Sequence, residues 1–160
     1  MLSVNKELDK VRFTCAWAEH NDEILTELNG YLGYTTDKND ENYRPLQDNL
    51  KTLNKIRLAS GKQPTVVELP MPAPVIWEDQ RLPASYSNFY IANNLVIMPM
   101  YKCPADDKAF YILEECFKNR KVVAIDSTDI IWGLGSFHCL SQQEPATADA
   151  ESDRRRQSGI

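Results

Sequence analysis

Leu95-Val-Ile-Met-Pro-Met100, Asp106-Asp-Lys-Ala-Phe-Tyr-Ile-Leu-Glu-Glu-Cys-Phe117 and Lys121-Val-Val-Ala-Ile125 follow one another with only short joints between them. The first and third are β-rich runs of strand length bounded by polar residues. In the second, Ala109, Ile112, Leu113, Cys116 and Phe117 recur at i, i+3, i+4, i+7 and i+8, which is one face of a helix. Asp106 and Asp107 open that helix, and Glu114-Glu115 belong to its solvated side. Upstream, Asn88 to Ala92 is another β-rich run, and Asn93-Asn94 joins it to Leu95 as a tight hairpin. Pro70, Pro72, Pro74 and Pro83 make the stretch before it extended and irregular, and Thr65 to Leu69 reads as a strand. Tyr43, Leu46, Leu50 and Leu53 share a helical face. Asp40 and Glu41 stand at the N-terminus of that helix, where carboxylates suit the dipole. Pro45 fits if it lies in the first turn, and Ser60-Gly61 is expected to end the helix.

Residues 1–36 carry weaker signals: a strand at Val11 to Trp17, a helical turn at Glu23 to Leu28 and a turn at Asn29-Gly30. The chain turns polar from Gln142, and residues 146–160, with Arg154-Arg155-Arg156, read as a disordered tail. No internal sequence repeat of useful length is found. The element order α-β-ββ-α-β predicts an α/β or α+β chain with a mixed sheet.

Composition narrows the functional classes. A formal net charge of -5 over 160 residues argues against nucleic acid as a partner, because phosphate binding needs clustered Lys and Arg. The same acidity suits a small cationic substrate, although net charge says little about one pocket. The longest apolar runs are too short to cross a bilayer, so no membrane is expected. Nothing at the N-terminus resembles an export signal, and the expected compartment is the cytoplasm, where thiols stay reduced. Cys15, Cys103, Cys116 and Cys139 form no C-x-x-C pair and no zinc-site spacing with a histidine, so no metal is expected.

The sharpest chemical feature is Trp132-Gly-Leu-Gly-Ser-Phe-His-Cys-Leu-Ser-Gln-Gln-Glu-Pro145. Gly133 and Gly135 let backbone approach a ligand closely or take up positive φ. Cys139 follows, and a thiolate is a strong nucleophile. Read from the residues alone, a cysteine beside glycines is usually a small buried apolar group. His138 is a poor candidate for the partner base, since adjacent side chains in a strand face opposite ways. Asn88 could hydrogen-bond the loop that carries Cys139, or be a strand-edge asparagine satisfied by backbone. Trp77 and Trp132 are expected in the core rather than on a ligand.

This segment resembles the C-terminal active-site motif of agmatine deiminases and the related bacterial protein-arginine deiminases. Members of that family have a glycine-rich stretch, a small or polar residue, an apolar residue and His-Cys, then Gln-Gln and Pro. Here the run is Gly133, Gly135, Ser136, Phe137, His138, Cys139, Gln142, Gln143 and Pro145, with Leu134 where many members have a third glycine. Asp37-Lys-Asn-Asp-Glu-Asn-Tyr43, Val67-Glu-Leu-Pro-Met-Pro72, Arg81-Leu-Pro-Ala-Ser-Tyr-Ser-Asn-Phe-Tyr-Ile-Ala92 and Val122 to Asp126 match further family stretches in order. The resemblance covers residues 37–145, which would be the C-terminal part of the domain behind a poorly matched segment 1–36.

The resemblance implies a five-module pseudosymmetric α/β propeller with its active site on the axis, of which this chain would supply the last modules. It implies hydrolysis of a guanidino group, as in agmatine or arginine, through a covalent amidino-thioether on Cys139. No cofactor is implied. Gly133, Gly135, Ser136 and Asn88 would line the substrate. The family has Gly-His-x-Asp ahead of its Asp-Lys-Asn-Asp stretch; His20-Asn21-Asp22 stands there in this chain, with Glu19 for the glycine. His20 and Asp22 would then be the catalytic histidine and its carboxylate, although His-Asn-Asp also suits an exposed polar turn. The family's Trp-x-Arg-Asp and Glu-Gly-Gly motifs do not occur in this sequence. Without them the isolated chain is expected to have little or no activity. The competing class is a non-catalytic interaction module that covers exposed apolar faces by self-association.

Overall fold

The computed structural model describes residues 29–57 and 61–142. The expectations at Val11 to Trp17, at Glu23 to Leu28, at His20 and Asp22, and for the tail 146–160 lie outside these. Among the described residues seven strands and two α-helices run in the order β1 (Asn29–Tyr34), α1 (Tyr43–Leu53), β2 (Thr65–Pro70), β3 (Ile76–Trp77), β4 (Gln80–Arg81), β5 (Tyr90–Ile91), β6 (Leu95–Met100), α2 (Ala105–Cys116) and β7 (Lys121–Asp126). Short 3-10 turns occupy Tyr86–Asn88 and Ile130–Gly133. Mixed helices and sheets are therefore what the sequence pattern predicts.

Two β-α-β units recur. β1 and β2 pair in parallel from Asn29↔Thr65 to Tyr34↔Pro70, with α1 as the crossover. β6 and β7 pair in parallel from Leu95↔Lys121 to Met100↔Asp126, with α2 as the crossover. The repetition is one of topology and leaves no sequence repeat. Parallel neighbours need such a crossover because a tight turn cannot return the chain in the same direction. β1 belongs to the first unit, so that unit begins ahead of residue 37. Asn29-Gly30, expected as a turn, is strand, because its pairing with Thr65 and Val66 overrides the local turn preference.

The hairpin at Asn93-Asn94 forms between β5 and β6, and the Ala92 N–H donates to Leu95 O at 2.8 Å. β5 pairs with β6 only at Tyr90↔Ile97 and Ile91↔Val96. Pro99 therefore falls beyond the β5 pairing, where its missing N–H costs no bond to that neighbour. In the proline-broken stretch the structure has a small antiparallel pair that the sequence reading did not anticipate, β3 against β4. Its two-residue turn places Glu78 (φ 45°) and Asp79 (φ 62°) both in the left-handed region, the type I′ arrangement that matches strand twist.

α1 ends at Leu53 and not at Ser60-Gly61. The Lys55 and Ile56 N–H groups donate to Thr52 O and Leu53 O, which tightens the last turn. Gln63 Nε2 donates to Asn54 O at 2.6 Å and takes up a terminal carbonyl that a C-cap glycine would otherwise serve. Pro45 does lie in the first turn.

The main core gathers Tyr31, Leu69, Tyr86, Phe89, Val96, Met98, Ala109, Leu113, Phe117 and Val122, and so joins both units. Alternation along β1 sends Leu32 the other way, to a smaller cluster with Leu46 and Leu53 under α1. Tyr31, Phe89 and Phe117 pack ring against ring, with centroids 5.0 to 5.9 Å apart.

Asp40 and Glu41 do not sit inside the first turn of α1. Both reach Arg81, and Asp40 does so in bidentate fashion at 2.9 and 3.1 Å. This ion pair ties the approach to α1 to the end of β4. The hydrogen bonds from Arg81 hold the Asp40 carboxyl below its ordinary value of 3.8, against the opposing effect of burial. A carboxyl lowered on folding contributes stability above the unfolded value, and that contribution is lost as pH falls through the folded one. Arg81→Ala is expected to destabilise the chain by about 1–2 kcal/mol at pH 7, since it strands a largely buried carboxylate. The deficit should shrink as pH falls below 3.8, where Asp40 takes up a proton first in the unfolded chain and, at lower pH, in the folded one. Urea melts of both proteins at pH 7 and pH 3 check this; an equal deficit at both would contradict the assignment.

Candidate active site around Cys139

Cys139 lies in the turn that follows the 3-10 segment Ile130–Gly133, with its side chain exposed. The turn closes through Leu140 N–H to Ser136 O at 3.0 Å and Ser141 N–H to His138 O at 3.1 Å. It is not a strand, so the alternation argument against His138 does not apply. His138 is half-buried, and burial lowers the pKa of its imidazole below the ordinary histidine value.

Asn88 grips this turn at three atoms. Its main-chain O accepts from the His138 N–H at 3.3 Å. Its Oδ1 accepts from the Cys139 N–H at 3.1 Å, and its Nδ2 donates to Cys139 Sγ at 3.1 Å. Asn88 is 5% exposed and lies in a 3-10 turn, not at a strand edge. Of the two uses open to it in the sequence, the contact with the Cys139 loop is therefore the one realised. The 3-10 turn exists because Ser85, at its N-cap, accepts the Ser87 N–H through Oγ at 3.2 Å.

Gly135 closes the other side. A Cβ there would lie 2.5 Å from Cys139 Cβ and 3.1 Å from Sγ, so only glycine leaves room for the cysteine. Gly133 is exposed, with nothing near the position of an added Cβ. Leu134 adopts φ 62° and ψ 24° while 65% exposed. That is the left-handed conformation a glycine takes without strain, and a leucine there gains little from burial.

Ser136 is fully buried, and its Oγ pairs with Ser127 Oγ at 2.5 Å. Its side chain is thus committed to the interior behind the loop. Tyr101 lies in the same interior: its hydroxyl donates to Ser85 O and accepts from Ser85 N, both at 3.2 Å. Burial pushes the Tyr101 phenol up to about 12. Ser127, Tyr101 and Ser85 carry no local sequence signal that would link them to Cys139. Asp106 anchors the floor. It accepts the Tyr101 N–H at 3.0 Å, the Cys103 N–H at 3.0 Å and the Tyr86 hydroxyl at 2.6 Å. Burial, with Asp106 and Cys103 alongside, pushes the Tyr86 phenol far above its ordinary range.

Trp77 and Trp132, expected in the core, are instead 44% and 45% exposed and pack on each other with centroids 3.6 Å apart. The sequence could not bring them together because Trp77 sits on the β3–β4 hairpin. Among the described residues no group of three or more His, Cys, Asp or Glu side chains is placed to hold a metal ion. No helix among them is long and apolar enough to cross a membrane.

The chain is similar to known proteins. The family described as Porphyromonas-type peptidyl-arginine deiminase matches residues 14–145. The agmatine deiminase of Ectopseudomonas mendocina is 32% identical over 137 residues, covering 74% of this chain and 37% of that one. The agmatine deiminase of Enterococcus faecalis superposes with a TM-score of 0.68 at 28% identity, over 73% of this chain and 37% of that one. A C. jejuni agmatine deiminase with one cysteine changed to serine, solved with substrate bound, superposes at 0.60 with 32% identity, over 70% and 31%. The chain spans little more than a third of the length of the curated relatives it matches, and corresponds to their C-terminal part.

Two substitutions probe the loop. Gly135→Ala should push Cys139 off its Asn88 contacts and slow its alkylation by iodoacetamide several-fold, while leaving the melting temperature within a few degrees. An unchanged rate would show that the close approach is not needed. Leu134→Gly should stabilise the chain by about 0.5 kcal/mol, the relief of a left-handed leucine less the added freedom of glycine when unfolded. Urea titration reads this, and a loss of stability would contradict it.

Proposed function

The chain belongs to the Porphyromonas-type peptidyl-arginine deiminase family, and on that premise we propose that it carries the nucleophile of a guanidino-group hydrolase. The observation that carries the reading is Cys139, exposed yet held at Sγ, at its N–H and against Gly135. In the complete enzyme the Cys139 thiolate adds to the guanidinium carbon. The tetrahedral adduct expels ammonia, which takes a proton from a histidine and leaves an amidino-thioether. Water, deprotonated by the same histidine, adds to that carbon, and the carbon–sulfur bond breaks as the added hydroxyl gives its proton to solvent, releasing the ureido product and the thiolate.

With agmatine the products are N-carbamoylputrescine and ammonia, a step toward putrescine. The agmatine deiminase names of the relatives support agmatine as the substrate. The family description favours a second reading, in which the guanidino group belongs to arginine in a peptide. His20 and Asp22 fall inside the matched stretch, which supports them as the catalytic histidine and its carboxylate partner. From β1 onward the chain supplies C-terminal modules of a five-module propeller, and the two β-α-β units support that arrangement. Gly133 and Gly135 contribute backbone to the substrate side of the loop. Ser136, being buried, contributes only by holding the loop.

Orienting a planar cation requires carboxylates that hold it bidentately. The Trp-x-Arg-Asp and Glu-Gly-Gly segments that supply them in the family are absent from this sequence. The 160-residue chain alone is therefore expected to release no more ammonia from agmatine than its Cys139→Ala variant. It should nevertheless react with 2-chloroacetamidine at Cys139, several-fold faster than at Cys103 or Cys116, as read by peptide mass mapping. Robust ammonia release would overturn the need for the missing segments. Equal labelling of the three cysteines would overturn the assignment of Cys139 as nucleophile.

A further inference from the structure

We infer that Ser127 is a positioning residue for Cys139, acting through the buried hydroxyl of Ser136; this rests on Cys139 being the nucleophile. Ser127 follows β7 directly and has no exposed surface. All of its polar groups are engaged. Its N–H donates to Met100 O at 2.9 Å, which ties it to the end of β6. Its main-chain O accepts from the Ile130 and Ile131 N–H groups at 3.1 and 3.0 Å, and so starts the 3-10 turn ahead of Cys139. Its Oγ meets Ser136 Oγ, nine residues further along the chain. One residue therefore holds both ends of the loop 127–136, and Ile131, also fully buried, anchors its middle.

The cysteine rests on the far end of that loop. Ser136 O accepts the Leu140 N–H at 3.0 Å, which closes the Cys139 turn, and Gly135 lies against the Cys139 Cβ. The position of Ser136 thus fixes the height of the sulfur above the interior. The Ser136 hydroxyl also bears on the Tyr101 phenol: burial pushes that phenol up to about 12, and hydrogen bonds from Ser85 and Ser136 act against the push. Tyr101 in turn donates to Ser85 O at 3.2 Å. With the Tyr101 and Ser136 protons committed in this way, the proton between the two serines is that of Ser127. The row of hydroxyls ends at Ser85, the N-cap of the 3-10 turn that faces Cys139, and so sets the distance between the two halves of the site. Removing the Ser127 hydroxyl leaves Ser136 Oγ buried without its donor. A buried hydroxyl in that state is costly and draws toward another partner, taking the end of the loop with it.

The test uses the whole 160-residue chain and its Ser127→Ala, Ser136→Ala and doubly substituted variants. Alkylation of Cys139 by iodoacetamide is followed against pH by mass mapping, with Cys103 and Cys116 as internal reporters of unfolding. Ser127→Ala is expected to slow alkylation of Cys139 about threefold at pH 7, the fall in thiolate that accompanies a profile moved up by about half a unit as the sulfur leaves its N–H contact. The double variant should lie no further from the unmodified chain than Ser136→Ala alone, because the two substitutions break the same bond. A merely structural Ser127 predicts a lower melting temperature with the Cys139 profile unmoved, and that result overturns the inference. Shifts that add in the double variant overturn it too, since Ser127 would then act by a route other than Ser136. If Ser127→Ala uncovers Cys103 and Cys116, Ser136→Ala decides, and general uncovering in both single variants marks the pair as structural only and counts against the inference. Selectivity of the unmodified chain for 2-chloroacetamidine is read separately. Its loss with the Ser127 shift intact sinks the hydrolase reading, whereas its retention with no shift sinks only the role of Ser127.

Discussion

The burial of Tyr86 and Phe89 is the constraint on which the rest of the site depends. Both side chains are 1% exposed, and they lie on either side of Ser87 and Asn88. Phe89 packs edge-on against Tyr31 and Phe117, so one ring is shared by β1 of the first unit and the end of α2 in the second. Tyr86 donates its hydroxyl to Asp106 in the first turn of α2. A side chain of this size contributes roughly 1.5–3 kcal/mol when fully buried, before any hydrogen bond is counted. With both ends of the short turn pinned in this way, the main chain of Asn88 has little freedom, and its amide is presented to the Cys139 loop.

Between that anchor and the solvent lies a layer of small polar groups. Ser127 and Ser136 pair with each other, and Tyr101 exchanges hydrogen bonds with the backbone of Ser85. Buried polar groups are tolerable when each finds a partner and costly when one does not. Such a layer fixes positions more sharply than apolar packing, because hydrogen bonds are directional. The loop 133–139 rests on it with a left-handed leucine at its start and a glycine under the cysteine. An exposed thiol on an otherwise constrained backbone is an arrangement suited to chemistry rather than to packing.

The surface around this loop is unusually apolar. Ile76, Trp77, Trp132, Leu134 and Leu140 are all large and substantially exposed. Of these, Trp77 and Trp132 are in direct contact. The relatives are more than twice as long as this chain.

By itself the sequence determined the local elements whose residues answer to their near neighbours. The faces of α1 and α2, the strands β2, β6 and β7 and the Asn93-Asn94 hairpin all follow from spacings of a few residues, and the motif around Cys139 marked the loop that matters. It misplaced the end of α1 and the role of Asn29-Gly30, because a glutamine nine residues beyond the carbonyl and a parallel partner strand decide them. Only the tertiary structure decided that Asn88 faces Cys139 across 51 residues of sequence, that Arg81 claims Asp40, and that two tryptophans meet at the surface rather than in the core. The physical reason is the range of the forces. Periodicity and turn chemistry act along the chain and can be read from it, whereas a side-chain amide finds a sulfur only after two aromatic rings have been buried on either side of it.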